Sequence, residues 1–404
     1  MALSVYVHIP YCLQRCRYCD FTTFEQNEIL SPKKYVEQVR AEIRQRRHLW
    51  SETEIATLYF GGGTPSLIDP ELILDICGEL ANSGLKFQTR AERTIEINPA
   101  TIDESKLQTY LQAGINRFSV GAQTFDDDLL KVCGRRHSAA DTRATLALLA
   151  KYGLNYSFDL LFALPGQNLS GLEEDLKEVA DFNPHHLSAY CLTVPQGHPM
   201  DSGRAPEGEQ IEMFARIEEH LARMGLKKYE ISNFARPGFE SRHNQAYWND
   251  TNYWGIGLSS HSYARDLGAF GTRFWNPKSL KAYAQQVEGP EALSFESVLG
   301  AEQLEALAEH ESLTDFCHMH LRADSGLSEA ALRSKYGVER LARVWPRLHK
   351  LLKRDLLTTT DGGWRLTRHG QLIANKVFEE LTFLRNDMVP GGLTAPSADS
   401  YCSV

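Results

Sequence analysis

The chain has 404 residues, 42% of them hydrophobic and 24% charged, the composition of a soluble globular protein large enough to bury a core without disulfide staples. Forty-three basic against 52 acidic residues leave a net charge of −9, which argues against a protein that coats nucleic acid. No stretch is apolar for long enough to span a bilayer, and MALSVYVHIPYC lacks the basic and apolar regions of a secretory signal. Collagen-like, disordered, small secreted and integral-membrane classes are thereby excluded, and the expected location is the cytoplasm.

Short β-branched or aromatic runs recur along the first half: LSVYVHI (3–9), ATLYF (56–60), RTIEIN (93–98), NRFSVG (116–121), YSFDLLF (156–162) and HLSAYCLT (186–193). Segments of helical periodicity separate them, among them KKYVEQVRAEIRQRRH and TRATLALLAKYG, and helix is expected over 207–225. Alternation of strand and helix with short links predicts an α/β fold with a parallel sheet, and six units fit a partial (β/α)6 barrel. Each strand run ends in a polar or glycine-rich loop: PYCLQRCRYCD, GGGTPS, NPAT, AQTF, LPGQ and VPQG. Loops at the carboxyl ends of barrel strands build active sites, so six such loops suggest one mouth, although Gly and Pro also simply end strands.

The texture then changes. Residues 229–276 are rich in aromatics, Asn, Gly and His and read as a loop-rich cover or edge extension. Helical patterning returns from about 300, and LLTTTDGGWRLTRHG reads as a hairpin around Asp361-Gly362-Gly363. Helices followed by a two-stranded wing suggest a winged-helix-like module, expected to pack within the protein rather than to bind nucleic acid. The domain reading is a barrel over 1–228, the extension over 229–295, the helical module over 296–385 and a disordered tail over 386–404.

Among eight cysteines, Cys12, Cys16 and Cys19 lie within eight residues. Three soft thiolates on one short loop allow three readings. A structural zinc site wants a fourth ligand, a thioredoxin-type pair needs only two cysteines, and a cubane iron–sulfur cluster would be held at three irons with one left open. An open iron can take the amino and carboxylate groups of S-adenosylmethionine (SAM), whose sulfonium is then placed for one-electron cleavage to methionine and a 5′-deoxyadenosyl radical. The run Cys12-Leu-Gln-Arg-Cys16-Arg-Tyr18-Cys19 resembles the radical-SAM signature, and Gly61-Gly62-Gly63-Thr64-Pro65 after the second strand resembles that family's glycine motif.

The likeness extends to Tyr6-Val-His8-Ile-Pro10, YFGGGTPS, IEINP, FSVGAQTF, GRRHS and FDLLFALPGQ, which together resemble the radical-SAM coproporphyrinogen oxidase superfamily over about residues 4–385. The resemblance implies a [4Fe-4S] cluster on Cys12, Cys16 and Cys19. It implies SAM contacts from Tyr6, Gly62, Gly63, Thr64, Glu96, Gln123, Arg135 and Asp159. Glu96 and Asp159 can accept hydrogen bonds from ribose hydroxyls or an amino group, and Arg135 can pair with a carboxylate. Each also has a plain reading as a loop acid or a surface charge.

Two branches of the superfamily compete. The oxidases carry a further cysteine two residues after the third and a longer arm before the cluster; here Phe21 stands at that position and only eleven residues precede Cys12. The HemW-type haem chaperones share Cys19-Asp20-Phe21 and the motif His243-Asn244-Gln245-Ala246-Tyr247-Trp248. That branch implies haem as third cofactor, with His243 as iron ligand and Tyr247 and Trp248 stacking on the macrocycle or bonding its propionates. The competing reading has His243 capping a turn and Tyr247 and Trp248 closing the barrel bottom or packing beneath a cover. His261 is a second candidate ligand; Leu258-Ser259-Ser260 before it departs from the Gly-Pro-Gly-Ala-like stretch of the family, and Ser241 stands where many members have Cys.

The expected function is therefore haem trafficking: the chain accepts haem and delivers it to an apo-haemoprotein of the respiratory or storage kind, with an electron donor for the cluster. Enzymatic turnover is left open. The alternatives are an oxygen-independent coproporphyrinogen III oxidase, a haem-degrading methyltransferase-like enzyme and a DNA-binding regulator using the winged module.

Overall fold

The computed structural model describes residues 2–388. Six parallel strands follow one another in chain order across one open sheet: β1 (Leu3–Ile9), β2 (Glu54–Gly62), β3 (Lys86–Ile97), β4 (Arg117–Gln123), β5 (Asn155–Phe162) and β6 (His186–Cys191). Short additional strands extend both edges. β7 (Asn233–Ala235) pairs with β6. β8 (Tyr253–Ile256) pairs parallel with β1, then antiparallel with β9 (His261–Ala264), and β10 (Thr272–Trp275) follows at that edge. The partial (β/α)6 barrel expected from the alternation is the observed fold. The extension supplies sheet edges as well as loops.

Period-2 alternation decides what the barrel holds. Val5, Val7, Leu58, Phe60, Phe118, Val120, Phe158 and Leu160 take one face and are fully or almost fully buried. The intervening positions, among them Tyr59, Glu96, Arg117, Ser119, Asp159 and Ser188, face a central cavity. Crossover helices are fixed by their own termini. The helix Pro70–Asn82 has Asp69 at its N-cap and Pro at N1, Ala139–Lys151 starts on a Ser138–Asp141 capping box, and Leu169–Phe182 ends on Asn183 in the left-handed region (φ 47°).

Contacts divide the chain into two compact units. Among the described residues, the first comprises 2–247, 251–264 and 273–305; the second comprises 248–250, 265–272 and 306–388. Within the second, the helix Glu309–Arg322 is followed by the strand Leu327–Ser328, the helix Glu329–Lys353 and a hairpin of Leu357–Thr360 with Gly363–Leu366. The strand Leu327–Ser328 completes a three-stranded wing. Gly362 at φ 95° makes the expected turn, and Gly337 at φ 80° breaks the long helix in two. The expected winged-helix-like module is thus formed. Of the expected tail, residues 386–388 belong to a short 3-10 turn (Arg385–Met388), and 389–404 lie outside the described residues. Among the described residues no helix is long and apolar enough to cross a membrane.

Candidate functional site

A cavity of about 460 Å³ runs down the barrel from the cysteine loop to Asn244. Cys12, Cys16 and Cys19 form one wall at its mouth. The loop carrying them is held by its surroundings. The Arg17 N–H donates to the Cys133 carbonyl (3.0 Å) and the Cys19 N–H to the Cys16 carbonyl (3.2 Å). Arg15 bonds the Cys19 carbonyl through two nitrogens (3.0 and 3.2 Å). Two groups aim at sulfur: Thr64 Oγ1 lies 3.9 Å from Cys12 Sγ, and Arg135 Nη1 lies 3.4 Å from Cys16 Sγ. Burial raises the pKa of the Cys12 and Cys19 thiols.

This donor set fits a cubane. Among the described residues no three His, Cys, Asp or Glu side chains converge tightly enough for one metal ion. A four-iron cluster makes no such demand, because its protein-bound corners are separate atoms. Cys12, Cys16 and Cys19, three thiols lining one cavity, would hold three corners of such a cluster and leave the fourth for a guest.

The glycine motif sits at the end of β2 beside that wall. Gly62 adopts φ 110°, and a Cβ there would lie 2.4 Å from the His8 ring; a Cβ on Gly63 would lie 2.6 Å from the Tyr11 carbonyl oxygen. Only glycine fits both places. The Gly62 N–H donates to Glu96 Oε2 (3.1 Å) and the Tyr59 hydroxyl to Glu96 Oε1 (2.8 Å). Burial, with Asp159 nearby, pushes the Glu96 carboxyl up to about 7 despite those two donors. Burial likewise raises Asp159, against the Ser188 hydroxyl and Arg117. Two carboxyls sharing a buried cavity are poised to accept hydrogen bonds from a polyhydroxylated, cationic guest.

Arg135 is buried in the same wall. Besides Cys16 it bonds Asn98 Oδ1 and the Gly121 carbonyl (2.6 Å), and its Nε has no partner. Gln123 lines the cavity in the left-handed region (φ 68°). Behind it Asp175 accepts bonds from the Thr124 hydroxyl (2.9 Å) and the Phe125 N–H (2.7 Å), which fix the loop that carries the strained residue. Of the eight expected SAM contacts, seven line the cavity: Gly62, Gly63, Thr64, Glu96, Gln123, Arg135 and Asp159. Tyr6 does not. It stands behind Tyr59 (ring centroids 6.1 Å, 26°) with its hydroxyl bonded to His8 Nδ1 (3.0 Å).

His243 is placed differently from the iron-ligand expectation. The helix Arg242–Trp248 begins under the barrel, where the Glu92 carboxylate accepts from the Arg242 N–H (3.1 Å) and the His243 N–H (2.9 Å). The imidazole is 2% exposed, stacks on Tyr59 (5.0 Å, 24°), and spends both nitrogens on Thr57 Oγ1 (2.8 Å) and the Tyr247 hydroxyl (2.9 Å). In this arrangement it has no lone pair to offer an iron. Burial, then Arg117, lowers it to about 3, so the ring is neutral. Tyr247 packs edge-on against Tyr253 (4.7 Å, 83°). Both residues close the barrel floor. Trp248 falls in the second unit, buried with Arg322 over its ring (5.8 Å).

Sequence reasoning passed over Arg117, Ser119, His186, Ser188 and Tyr190, which line the same cavity. The signal was present: counting back by twos from Gln123 reaches Gly121, Ser119 and Arg117, and Asp159 lies beside Ser188 in register.

The model of the Radical SAM superfamily matches residues 6–179. The Bacillus subtilis protein named heme chaperone HemW is 31% identical over 386 residues, covering 93% of this chain and 98% of its own. The chain belongs to the HemW family of radical-SAM proteins. The HemW of Escherichia coli is 30% identical over 390 residues, covering 93% of this chain and 97% of its own. Among solved structures, the HemW-family fold seen here superposes on the Escherichia coli coproporphyrinogen III oxidase HemN with a TM-score of 0.80. The two share 23% identity over 94% of this chain and 90% of that one, a likeness of fold.

Proposed function

We propose that this chain is a haem chaperone that carries a [4Fe-4S] cluster on Cys12, Cys16 and Cys19, binds SAM in the barrel, and delivers haem to apo-haemoproteins. The observation that carries the reading is the single cavity walled at its mouth by three thiols and lined below by Glu96, Asp159 and Arg135, in a chain whose full-length relatives are named heme chaperones. When bound, the cluster and SAM supply one-electron chemistry at a sulfonium. The chain's own residues hold and orient. The Gly62–Gly63 backbone lines the cavity beside the cysteines, where a methionine moiety would lie. Glu96 and Asp159 accept from amino or ribose groups, and Arg135 faces a carboxylate.

Phe21, in place of the oxidases' additional cysteine, supports the chaperone over the oxidase reading. The test is an anaerobic preparation assayed for iron and sulfide, titrated with haem, and incubated with SAM, reductant and coproporphyrinogen III. Stoichiometric haem binding and transfer to an apo-haemoprotein without protoporphyrinogen is the expected result. Robust protoporphyrinogen formation overturns it in favour of the oxidase.

A further inference from the structure

An iron ligand needs an imidazole nitrogen that is both unengaged and within reach of the guest. On the barrel, His8 has both nitrogens bonded, to Tyr6 Oη (3.0 Å) and the Thr22 carbonyl (2.9 Å), and His243 is saturated in the floor. His186 lines the cavity and is bonded through Nε2 to Tyr229 Oη (2.7 Å); its Nδ1 has no partner among the described residues but, at 1% exposure, is shut off from solvent. His261 is different. It is exposed at the start of β9, and its ring makes no hydrogen bond among the described residues.

Its surroundings have the chemistry of a flat, anionic, apolar guest. The Asn276 N–H donates to the Ser260 carbonyl (2.9 Å), which sets His261 across from Trp275 on β10. The two rings stack at 5.7 Å and 26°, and the indole is only half-buried. Lys278, exposed three residues on, and Arg273 lie close enough to help burial lower the His261 pKa. A neutral imidazole is the form that coordinates iron, and nearby cations suit carboxylates.

The position is the barrel mouth. Thr22 Oγ1, three residues past Cys19, donates to Ser259 Oγ (3.1 Å). One residue before Thr22, Phe21 is 66% exposed and lines the cavity; two residues after Ser259 comes His261. Ser259 itself holds φ 57°, a conformation that glycine ordinarily takes, and is pinned by its N–H to the Pro277 carbonyl (3.0 Å). A strained loop is therefore kept in place where it joins the cluster loop to the imidazole.

We propose that haem docks at this rim, with His261 as its iron ligand, Trp275 stacked on that imidazole and edge-on to the macrocycle, Phe21 at its cavity-side edge and Lys278 at a propionate. The assignment rests on the haem-chaperone reading and adds the site. An open rim suits a carrier, because a recipient can reach the cargo without the barrel unfolding.

The experiment is ferric haem titration of the anaerobically reconstituted chain, read by Soret position and electron paramagnetic resonance. Wild type is compared with His261→Ala, His261→Gln, Trp275→Ala and His243→Ala. His261→Ala and His261→Gln are expected to lose the imidazole-ligated spectrum and at least about tenfold in affinity, with added imidazole restoring the spectrum. Trp275→Ala is expected to weaken binding several-fold and keep the spectrum. Iron and sulfide contents and the far-ultraviolet dichroism, unchanged in both His261 variants, separate ligand loss from misfolding. A wild type that binds no haem defeats the chaperone reading itself. A wild type that binds haem while the His261 variants keep spectrum and affinity overturns this site and leaves that reading standing; so does a folded His243→Ala that alone loses the imidazole spectrum.

Discussion

Arg135 and Cys16 are in direct contact, guanidinium Nη1 to Sγ at 3.4 Å, although 119 residues separate them. The same guanidinium bonds Asn98 and the Gly121 carbonyl, so one planar fork ties the cysteine loop to two strand ends. A lysine has neither the fork nor the reach to serve all three. Arg135→Lys is expected to load its cluster but release iron to a chelator several-fold faster than wild type, and to bind SAM more weakly. Equal release rates would show that the contact does not hold the loop.

Glu96 gives the apo chain a signed pH dependence. Its folded pKa of about 7 lies above the ordinary glutamate value of 4.5. Between those values the folded state binds more protons than the unfolded one, so stability falls as pH rises from about 4.5 to about 7 and levels off above. Denaturant unfolding of cluster-free protein at pH 5 and pH 8 measures the slope. Glu96→Gln removes this contribution, and its two curves should lie closer together than those of wild type.

Gly62→Ala tests the cradle. A Cβ at φ 110° meets the His8 ring at 2.4 Å, and His8 Nε2 bonds the Thr22 carbonyl just past Cys19. Backbone strain alone costs about 1–3 kcal/mol, and the displaced imidazole carries the disturbance to the cluster loop. Lower thermal stability together with reduced SAM binding is expected, measured by calorimetry on the reconstituted protein. Unaltered SAM affinity would mean that the backbone at this position has room to spare.

Glu42 and Arg46 form a fully buried pair (2.8 Å) on the first helix, Pro32–Arg46. The Glu42 carboxylate also accepts from Tyr283 Oη (2.7 Å), the Gly257 N–H (2.9 Å) and Asn276 Nδ2 (2.8 Å), and Arg46 donates to Asn276 Oδ1 (2.7 Å). Removing one partner strands a charge, at about 3–5 kcal/mol. Glu42→Ala should therefore unfold at markedly lower denaturant concentration, and Glu42→Leu with Arg46→Met should recover much of the loss. A double variant as unstable as the single one would locate the cost in packing.

Much of the architecture was legible because the strands follow period 2 and the helices carry their own caps. The first strand runs over 3–9 as read, and the module's long helix breaks at Gly337. β3 begins at Lys86, well before the apolar run that marks it, because its early positions are polar and one of them, Glu92, serves a helix terminus instead of a core. β8, β9 and β10 span four residues each, too few for a period to show among the glycines and asparagines around them. The cavity residues share the alternation and were reachable from it. The direction of the His243 side chain was not: six residues of motif name a histidine, whereas Thr57 and Tyr247 decide what its nitrogens do.

The plugged floor has a consequence for the order of events. His243 and Tyr247, bonded to each other, pack beneath a cavity whose lining includes the three cysteines. If haem docks at the proposed rim, it would lie over the opening through which SAM enters, and departure of the one would then gate renewal of the other, as in a queue served last in, first out.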